Sequence, residues 1–177
     1  MILAFAGRRP GTESFPDAMV DAVGEEVARL VARLAPRRVV GSAAAGGDLL
    51  VAEAALAAGA RVELLLAGDR ARFRATSVAD KGDVWAERFD SLLERDGVAV
   101  TEIASLGDGE EAYRGVTRAI AERARRLGEG GEPIGLLAVA GRRAGPPGHT
   151  EELVAAAEAS GWRVWTIDPA EPGAARW

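Results

Sequence analysis

The chain has 177 residues, of which 48% are hydrophobic and 28% charged, and its formal net charge is −5. This length suits one domain, and this composition supports a packed core and excludes an intrinsically disordered chain. The absence of cysteine excludes disulfides, thiolate zinc sites and cysteine nucleophiles, and the single histidine, His149, excludes paired-histidine metal sites. We therefore expect no metal site.

Hydrophobic and charged residues are distributed as in a soluble protein. No run reaches the roughly 18 uninterrupted apolar residues of a membrane helix, and the apolar N-terminal run lacks the basic region of a signal peptide. The acidic balance argues against a nucleic-acid footprint over the whole surface. We expect a cytoplasmic protein without membrane contact.

Short apolar runs alternate with helical periodicity along the chain. In chain order, this pattern predicts a strand at 2–6, a helix at 16–34, a strand at 38–41, a helix at 48–58, a strand at 62–67, an extended loop at 68–80, a helix at 83–95, a strand at 98–103, a helix at 113–127, a strand at 134–140, a helix at 150–160, a strand at 163–167 and a tail at 169–177.

This alternation favours parallel strands joined by right-handed helical crossovers. We predict one α/β domain over residues 1–177, with a three-layer, Rossmann-like, doubly wound and mostly parallel sheet of about six or seven strands. Ligands of such sheets bind at the carboxyl ends of the strands, where loops and helix N-termini converge. Three loops at that predicted edge have unusual composition.

The first loop, residues 7–12, follows the first strand directly. Gly7 allows close backbone approach, and the guanidinium groups of Arg8 and Arg9 can each bind a phosphate through two hydrogen bonds. We predict that these three residues bind a ligand. The alternative on composition alone is a solvated turn.

The second loop, residues 41–48, contains only Gly, Ser and Ala before its final Asp. Such small side chains leave backbone N–H groups exposed beside a helix N-terminus, where the helix dipole also favours an anion. The alternative is a tight turn in which Asp48 is the helix N-cap. The predicted ligand-binding residues of this loop are Gly41, Ser42, Gly46, Gly47 and Asp48.

The third loop, residues 141–153, joins the fifth strand to the next helix. Its predicted ligand-binding residues are Gly141, Gly148, His149 and Thr150. The Thr150 hydroxyl suits either a helix cap or a phosphate contact, and His149 suits a neighbour of a base rather than a metal ligand. Glu151 and Glu152 either complement the dipole of the following helix or act in catalysis.

The polar segment 68–80 has two interpretations. Arg70, Arg72 and Arg74 lie near Phe73 and Trp85, and rings stack on bases while guanidinium groups bind phosphates, so the segment could cover a nucleotide. The alternative is that the two aromatic side chains pack the segment onto the sheet.

The second and third loops, taken together, resemble the SLOG superfamily, named for the DNA-processing Smf proteins and the LOG phosphoribohydrolases. The most specific stretch, residues 40–66, contains Gly-Ser-Ala-x2-Gly-Gly-Asp-Leu-Leu-x-Ala-Glu-x-Ala-Leu-x2-Gly-x-x-Val, which is similar to the small-residue loop, helix and third strand of the superfamily. Residues 73–78 are similar to the next loop of sensor-type members, and Gly-Arg-Arg-Pro at 7–10 is similar to their Gly-His-Arg-Pro turn. The resemblance extends over residues 4–169. It implies a Rossmann-like fold, a pocket for nucleotides or ADP-ribose-like molecules that includes Ser77, and a homodimer.

The third loop distinguishes the branches of that superfamily. LOG enzymes carry Pro-Gly-Gly-x-Gly-Thr-x-x-Glu, in which the Glu assists cleavage of the N-glycosidic bond. Here Pro147 and His149 replace the glycines nearest Thr150, and Leu153 stands where the Glu is expected. Glu152 lies one residue, or about 100° of helix, from that place. The chain is therefore closer to the sensor-type members.

Three functions follow from the resemblance. The first is binding of a nucleotide or ADP-ribose-like ligand, with no other cofactor. The alternative is an N-glycosidase that acts on a nucleoside 5′-monophosphate through Glu151 or Glu152. The second alternative is single-stranded DNA binding as in the Smf branch, against which the acidic balance argues because such binding needs many phosphate contacts.

Overall fold

The structure, a computed structural model, describes residues 1–103, 109–141 and 148–173. Within these ranges the strands are β1 Ile2–Gly7, β2 Arg38–Gly41, β3 Arg61–Ala67, β4 Val98–Ile103, β5 Ile134–Val139 and β6 Arg163–Ile167. The helices are α1 Val20–Leu34, α2 Gly47–Ala57, α3 Arg70–Ser77, α4 Asp83–Leu93, α5 Glu110–Leu127 and α6 His149–Ala159. Two short 3-10 helices, Asp17–Met19 and Ala79–Lys81, complete the described elements.

The six described strands form one sheet in which every pair is parallel, in the order β4-β3-β2-β1-β5-β6. The chain builds outward from β1 to β4, crosses back through α5 and adds β5 and β6 on the other side of β1. This arrangement confirms the predicted three-layer, doubly wound, Rossmann-like α/β fold.

The two faces of the sheet have separate cores because side chains alternate along each strand. Leu3 and Phe5 of β1 face the layer of α1, α2 and α4, whereas Ile2 and Ala4 face α5 and α6. All four are buried. Strands that are apolar on both faces require helices on both sides, so the apolar runs of the sequence lead directly to three layers.

The segment predicted as an extended loop at 68–80 is helical, and that prediction is wrong. The Asp69 side chain accepts a hydrogen bond from the Arg72 backbone N–H at 2.9 Å and starts α3 as its N-cap. Phe73 is 2% exposed and its ring stacks on Phe89 of α4 at a centroid distance of 6.1 Å. Trp85 is also buried, and both rings belong to the core on this face of the sheet, as the packing interpretation predicts.

We expect Asp69→Ala to lower the free energy of unfolding by about 1 kcal/mol, because the first turn of α3 loses its side-chain cap. Urea denaturation followed by circular dichroism measures this effect. Asp96→Ala, at an exposed carboxylate before β4, is the matched control and should change stability by less than about 0.5 kcal/mol. Equal stabilities of the two variants would contradict a capping role.

Membrane spans and metal clusters are both absent from the described part of the chain. No helix within residues 1–103, 109–141 and 148–173 has both the length and the apolar character to cross a membrane. The same residues contain no group of three or more His, Asp or Glu side chains placed to hold a metal ion.

Candidate functional site

The sheet has its topological switch point between β1 and β5. These two strands are neighbours, and the chain leaves them in opposite directions, toward β2 and toward β6. A crevice forms at the carboxyl ends of such a strand pair. The Arg8 N–H donates to the Val139 carbonyl at 2.9 Å, which fixes the turn after β1 against the end of β5.

The turn after β1 and the start of α2 approach each other at backbone distance. A Cβ added at Gly7 would lie 2.4 Å from the Gly47 Cα and 2.9 Å from the Asp48 backbone nitrogen. The Gly47 N–H donates to the Arg8 carbonyl at 2.9 Å. The two glycines therefore join the first and second loops into one unit.

Three backbone amides of the second loop donate hydrogen bonds to other groups of the protein. The Ala45 N–H donates to the Ser77 carbonyl at 2.9 Å, the Ala44 N–H to Asp48 Oδ2 at 3.3 Å, and Gly47 to Arg8 as described. The prediction that this loop presents free amides to an anion is wrong at these three positions. The small side chains here permit close packing between loops.

Asp48 does not cap α2, so that alternative is also wrong. The N-cap position is Gly46, and the Asp48 carboxylate accepts from the Gly7 N–H at 2.7 Å through Oδ1 and from Ala44 through Oδ2. Asp48 is 6% exposed. Burial is the largest influence and raises its pKa to about 7, against the opposing effects of the two amide hydrogen bonds and of Arg9.

Arg8 and Arg9 are anchored rather than solvated. Arg8 Nη2 binds Glu151 Oε1 and its Nη1 donates to Ser14 Oγ at 3.3 Å, while Arg9 Nη2 binds Asp80 Oδ1. The Arg8 side chain is 12% exposed, so the solvated-turn alternative is wrong for this residue. The Nε atoms of both arginines are buried and have no hydrogen-bond partner among the described residues.

The first turn of α6 holds the predicted acidic pair. Glu151 Oε2 accepts from the Gly148 N–H at 2.9 Å, so Glu151 joins the helix start to Arg8. Glu152 Oε1 instead accepts from Arg114 Nε at 3.4 Å. Thr150 is buried in the second position of the helix and is therefore not its cap.

A cavity of about 510 Å³ opens at this edge of the sheet. Its lining residues are Phe5, Ala6, Gly7, Arg8, Arg9, Ser42, Ala44, Asp48, Phe73, Ser77, Glu110, Tyr113, Val116, Thr117, Ile120, Gly148, His149, Thr150, Glu151 and Leu153. The volume falls in the range of about 300–1,000 Å³ that small-molecule sites occupy.

Ten of the fifteen residues predicted for the site line this cavity. They are Gly7, Arg8, Arg9, Ser42, Asp48, Ser77, Gly148, His149, Thr150 and Glu151. Gly41, Gly46, Gly47, Gly141 and Glu152 are not among its lining residues. Gly41 lies against the Phe5 ring, Gly46 against the Arg8 carbonyl and Gly141 against the Asp168 carboxylate. Residues 142–147 of the third loop lie outside the described residues.

The first half of α5 contributes a wall that the sequence interpretation missed. The Tyr113 hydroxyl lies 2.7 Å from Ser77 Oγ, and the Tyr113 ring lies 5.8 Å from the His149 ring, centroid to centroid. The His149 Nδ1 atom is buried without a hydrogen-bond partner among the described residues. Tyr113 is the only tyrosine of the chain, and this was the one feature of the sequence that could have marked α5 as part of the cavity wall.

The fold and the cavity define an α/β protein with a small-molecule-sized cleft at the switch point of a parallel sheet. No family model and no curated protein sequence matches the chain.

Several solved structures are similar to this chain over most of its length. The molybdenum cofactor binding protein from the phototrophic bacterium Rippkaea orientalis is 12% identical with a TM-score of 0.40, covering 95% of this chain and 90% of that one. The Moco carrier protein from Chlamydomonas reinhardtii is 14% identical with a TM-score of 0.38, covering 92% and 87%. A further structure of the Chlamydomonas reinhardtii molybdenum cofactor carrier protein is 16% identical with a TM-score of 0.36, covering 92% and 88%. Such identities and TM-scores are too low to transfer a ligand to this chain.

Proposed function

We propose that the chain binds a nucleotide or ADP-ribose-like ligand in the cavity at the switch point. The observation that carries the proposal is the pair of arginines in the cavity wall, Arg8 and Arg9, each with a buried Nε–H that has no acceptor among the described residues. A buried donor without an acceptor costs about 1–3 kcal/mol, and phosphate oxygens are acceptors that guanidinium groups favour.

The remaining lining residues suit the other parts of such a ligand. Ser42 and Ser77 contribute hydroxyl groups to the lining of the same cavity. The neighbouring rings of Tyr113 and His149 provide an aromatic surface for a base. Phosphate recognition in this proposal relies on the two guanidinium groups, because the amides of Ala44, Ala45 and Gly47 are already bound.

The positions of the acidic side chains support binding over hydrolysis. Cleavage of an N-glycosidic bond needs a carboxylate near the ribose carbon at which positive charge develops. Both oxygens of Glu151 are engaged by Arg8 and Gly148, and Glu152 is not among the cavity-lining residues. Incubation with AMP followed by chromatography tests the hydrolase alternative, which requires free adenine.

Calorimetric titration with ADP-ribose, cyclic ADP-ribose, NAD and nucleoside monophosphates tests the proposal directly. Saturable binding of at least one of these compounds is the expected result. The folded protein showing no heat of binding and no thermal stabilisation with any of them would overturn the proposal.

Arg9→Gln is expected to weaken binding of the best of these ligands roughly tenfold to a hundredfold. A charge-assisted hydrogen bond is worth about 1.5–3 kcal/mol, and every 1.4 kcal/mol is tenfold in affinity. The fold should persist because the Asp80 partner is exposed. Arg126→Gln, which breaks an exposed ion pair with Glu122 on α5, is the matched control and should leave affinity unchanged. Equal affinities of the two variants would exclude Arg9 from the site.

A homodimer, expected from the resemblance to self-associating proteins, stays a prediction. Light scattering coupled to size-exclusion chromatography measures the oligomeric state, and a mass near the 18.4 kDa of one chain would contradict a homodimer.

A gel shift with single-stranded DNA at low salt tests the nucleic-acid alternative, for which we expect no complex.

A further inference from the structure

Asp48 is a buried acid in the wall of the cavity, and the proposed function leaves it without a role. Its carboxylate lies among backbone amides rather than in an ion pair: Oδ1 binds the Gly7 N–H at 2.7 Å and Oδ2 the Ala44 N–H at 3.3 Å. Two arginines, Arg8 and Arg9, line the same cavity. A ligand phosphate held by those arginines would share this cavity with the carboxylate of Asp48, which is itself buried.

We propose that Asp48 takes up a proton when an anionic ligand binds in the cavity, so that affinity falls as pH rises. This inference rests on the proposed function, since it concerns the charge of a ligand in that same cavity. The proton comes from solvent and adds to the carboxylate, so the negative charge that the ligand brings is offset by the charge that Asp48 loses.

A negative charge brought close to a buried carboxyl group disfavours the ionised form of that group. The two amide contacts differ in strength, because the Oδ1 contact is short and the Oδ2 contact is long. Protonation at Oδ2 therefore preserves the stronger hydrogen bond to Gly7. The new hydroxyl can in addition donate to an anionic ligand, which the carboxylate cannot do.

The ionisation behaviour of Asp48 places this event in an accessible pH range. Burial raises its pKa to about 7. Near neutral pH both forms are populated, so a ligand that favours the protonated form shifts an existing equilibrium. By linkage, the same coupling makes ligand affinity depend on pH to the same extent.

Other ionisable groups also face the cavity from the elements packed around Asp48. Arg8 and Arg9 lie on the turn after β1, Glu110 and Tyr113 on α5, and His149 and Glu151 on α6; α3 contributes Phe73 and Ser77, which carry no charge. Arginine side chains stay protonated in proteins, whereas histidine is the residue type that ordinarily titrates nearest neutrality. A test must therefore separate Asp48 from His149.

The probe is ADP-ribose, because its bridging diphosphate stays fully ionised across the pH range used. Calorimetric titration at pH 7.5 in two buffers of different ionisation enthalpy counts the protons exchanged on binding. We expect an uptake of roughly half a proton per ligand, and a roughly fivefold fall in affinity between pH 6.5 and pH 8.5.

Two variants show which residue takes up the proton. Asp48→Asn, which keeps the shape and the acceptor for Gly7, should bind ADP-ribose without proton uptake and with nearly constant affinity over this range. His149→Gln should retain the uptake. If Asp48→Asn does not fold, the pH titration of the Asp48 carboxyl carbon in the wild-type protein, followed by NMR with and without ADP-ribose, takes its place.

The outcomes separate the two proposals. Binding of ADP-ribose without proton uptake, uptake that persists in Asp48→Asn, or an Asp48 titration midpoint that ADP-ribose leaves unchanged overturns the proton linkage alone. Absence of ADP-ribose binding throughout pH 6.5–8.5 overturns ADP-ribose as a ligand and the linkage with it.

Discussion

Replacing Gly7 with alanine is expected to lower the free energy of unfolding by about 3 kcal/mol or more. The added Cβ would lie 2.4 Å from the Gly47 Cα and 2.7 Å from the Gly47 carbonyl carbon, and both are backbone atoms that no rotamer change can move. Separating the two segments would stretch the hydrogen bonds from Gly7 to Asp48 and from Gly47 to Arg8. Urea denaturation followed by circular dichroism measures the loss.

Gly24→Ala is the matched control for this substitution. Gly24 lies within α1, and its added Cβ would meet only the Leu50 Cδ2 atom at an ordinary distance of 3.4 Å. Because alanine favours helix over glycine, the variant should be as stable as the wild type or more stable by up to about 1 kcal/mol. If Gly7→Ala unfolds at the same urea concentration as the wild type, the two loops can move apart without lowering the free energy of unfolding.

Because of Asp48, the free energy of unfolding is expected to fall as pH rises toward neutrality. The pKa of this residue is about 7 in the folded chain, whereas an unperturbed aspartate has a pKa of 3.8, so the folded state binds the proton more tightly. Such a group stabilises the fold at low pH, and that contribution is lost as pH rises toward the folded-state pKa. Between pH 4.5 and pH 8, the wild type should lose roughly 3 kcal/mol of stability relative to Asp48→Asn.

Urea denaturation of both proteins at several pH values measures this difference, because titrations shared by the two chains cancel. Asp90→Asn serves as control: the Arg74 guanidinium holds the pKa of Asp90 below its usual range, so its charge stays constant from pH 5 to 8. Its stability difference from the wild type should be flat there. A flat difference for Asp48→Asn as well would mean that Asp48 ionises as freely as in the unfolded chain.

The Asp48 carboxyl group lowers the stability of the fold at neutral pH, so a role in the cavity would explain why an ionisable residue stands there. An asparagine or a small apolar residue would avoid the desolvation of a charge. Perturbed ionisable groups that line a cleft are concentrated at functional sites. Ionisation of the same carboxyl group therefore determines both the pH dependence of stability and the proton uptake on ligand binding.

The architecture could be predicted because each buried strand is recognisable from its own short apolar run. Residues 2–6 and 134–139 are continuous apolar runs, which only a strand covered on both faces can bury. Their alternation with amphipathic helices such as α1 leaves few folds other than a doubly wound sheet. The strand order, in contrast, depends on contacts between segments more than 100 residues apart.

The helix α3 was missed because its pattern is too short. Only Phe73 and Ser77 are buried within its eight residues, and the exposed positions carry Arg, Ala and Thr. Two buried positions four residues apart do not establish helical periodicity. The cap at Asp69 was the remaining local signal, and an Asp in a polar segment fits a loop equally well.

The position of the candidate cavity could be predicted, but the hydrogen bonding of its backbone amides could not. The described residues of the three predicted loops lie together at the carboxyl edge, since parallel strands place their following loops on one side of the sheet. The amides of Ala45 and Gly47 looked free because their acceptors, the carbonyls of Ser77 and Arg8, come from distant segments. Tyr113 became part of the wall only because α5 crosses the sheet between β4 and β5, which strand order determines.

Arg8 is already fixed before any anion reaches the cavity. Glu151 and Ser14 hold two of its guanidinium nitrogens, and little of its side chain is exposed. An arginine that is free to rotate loses about 2 kcal/mol of rotamer entropy when it is immobilised. Folding has already immobilised this side chain, so an anion bound beside it meets a preorganised partner and the association step avoids most of that entropic penalty.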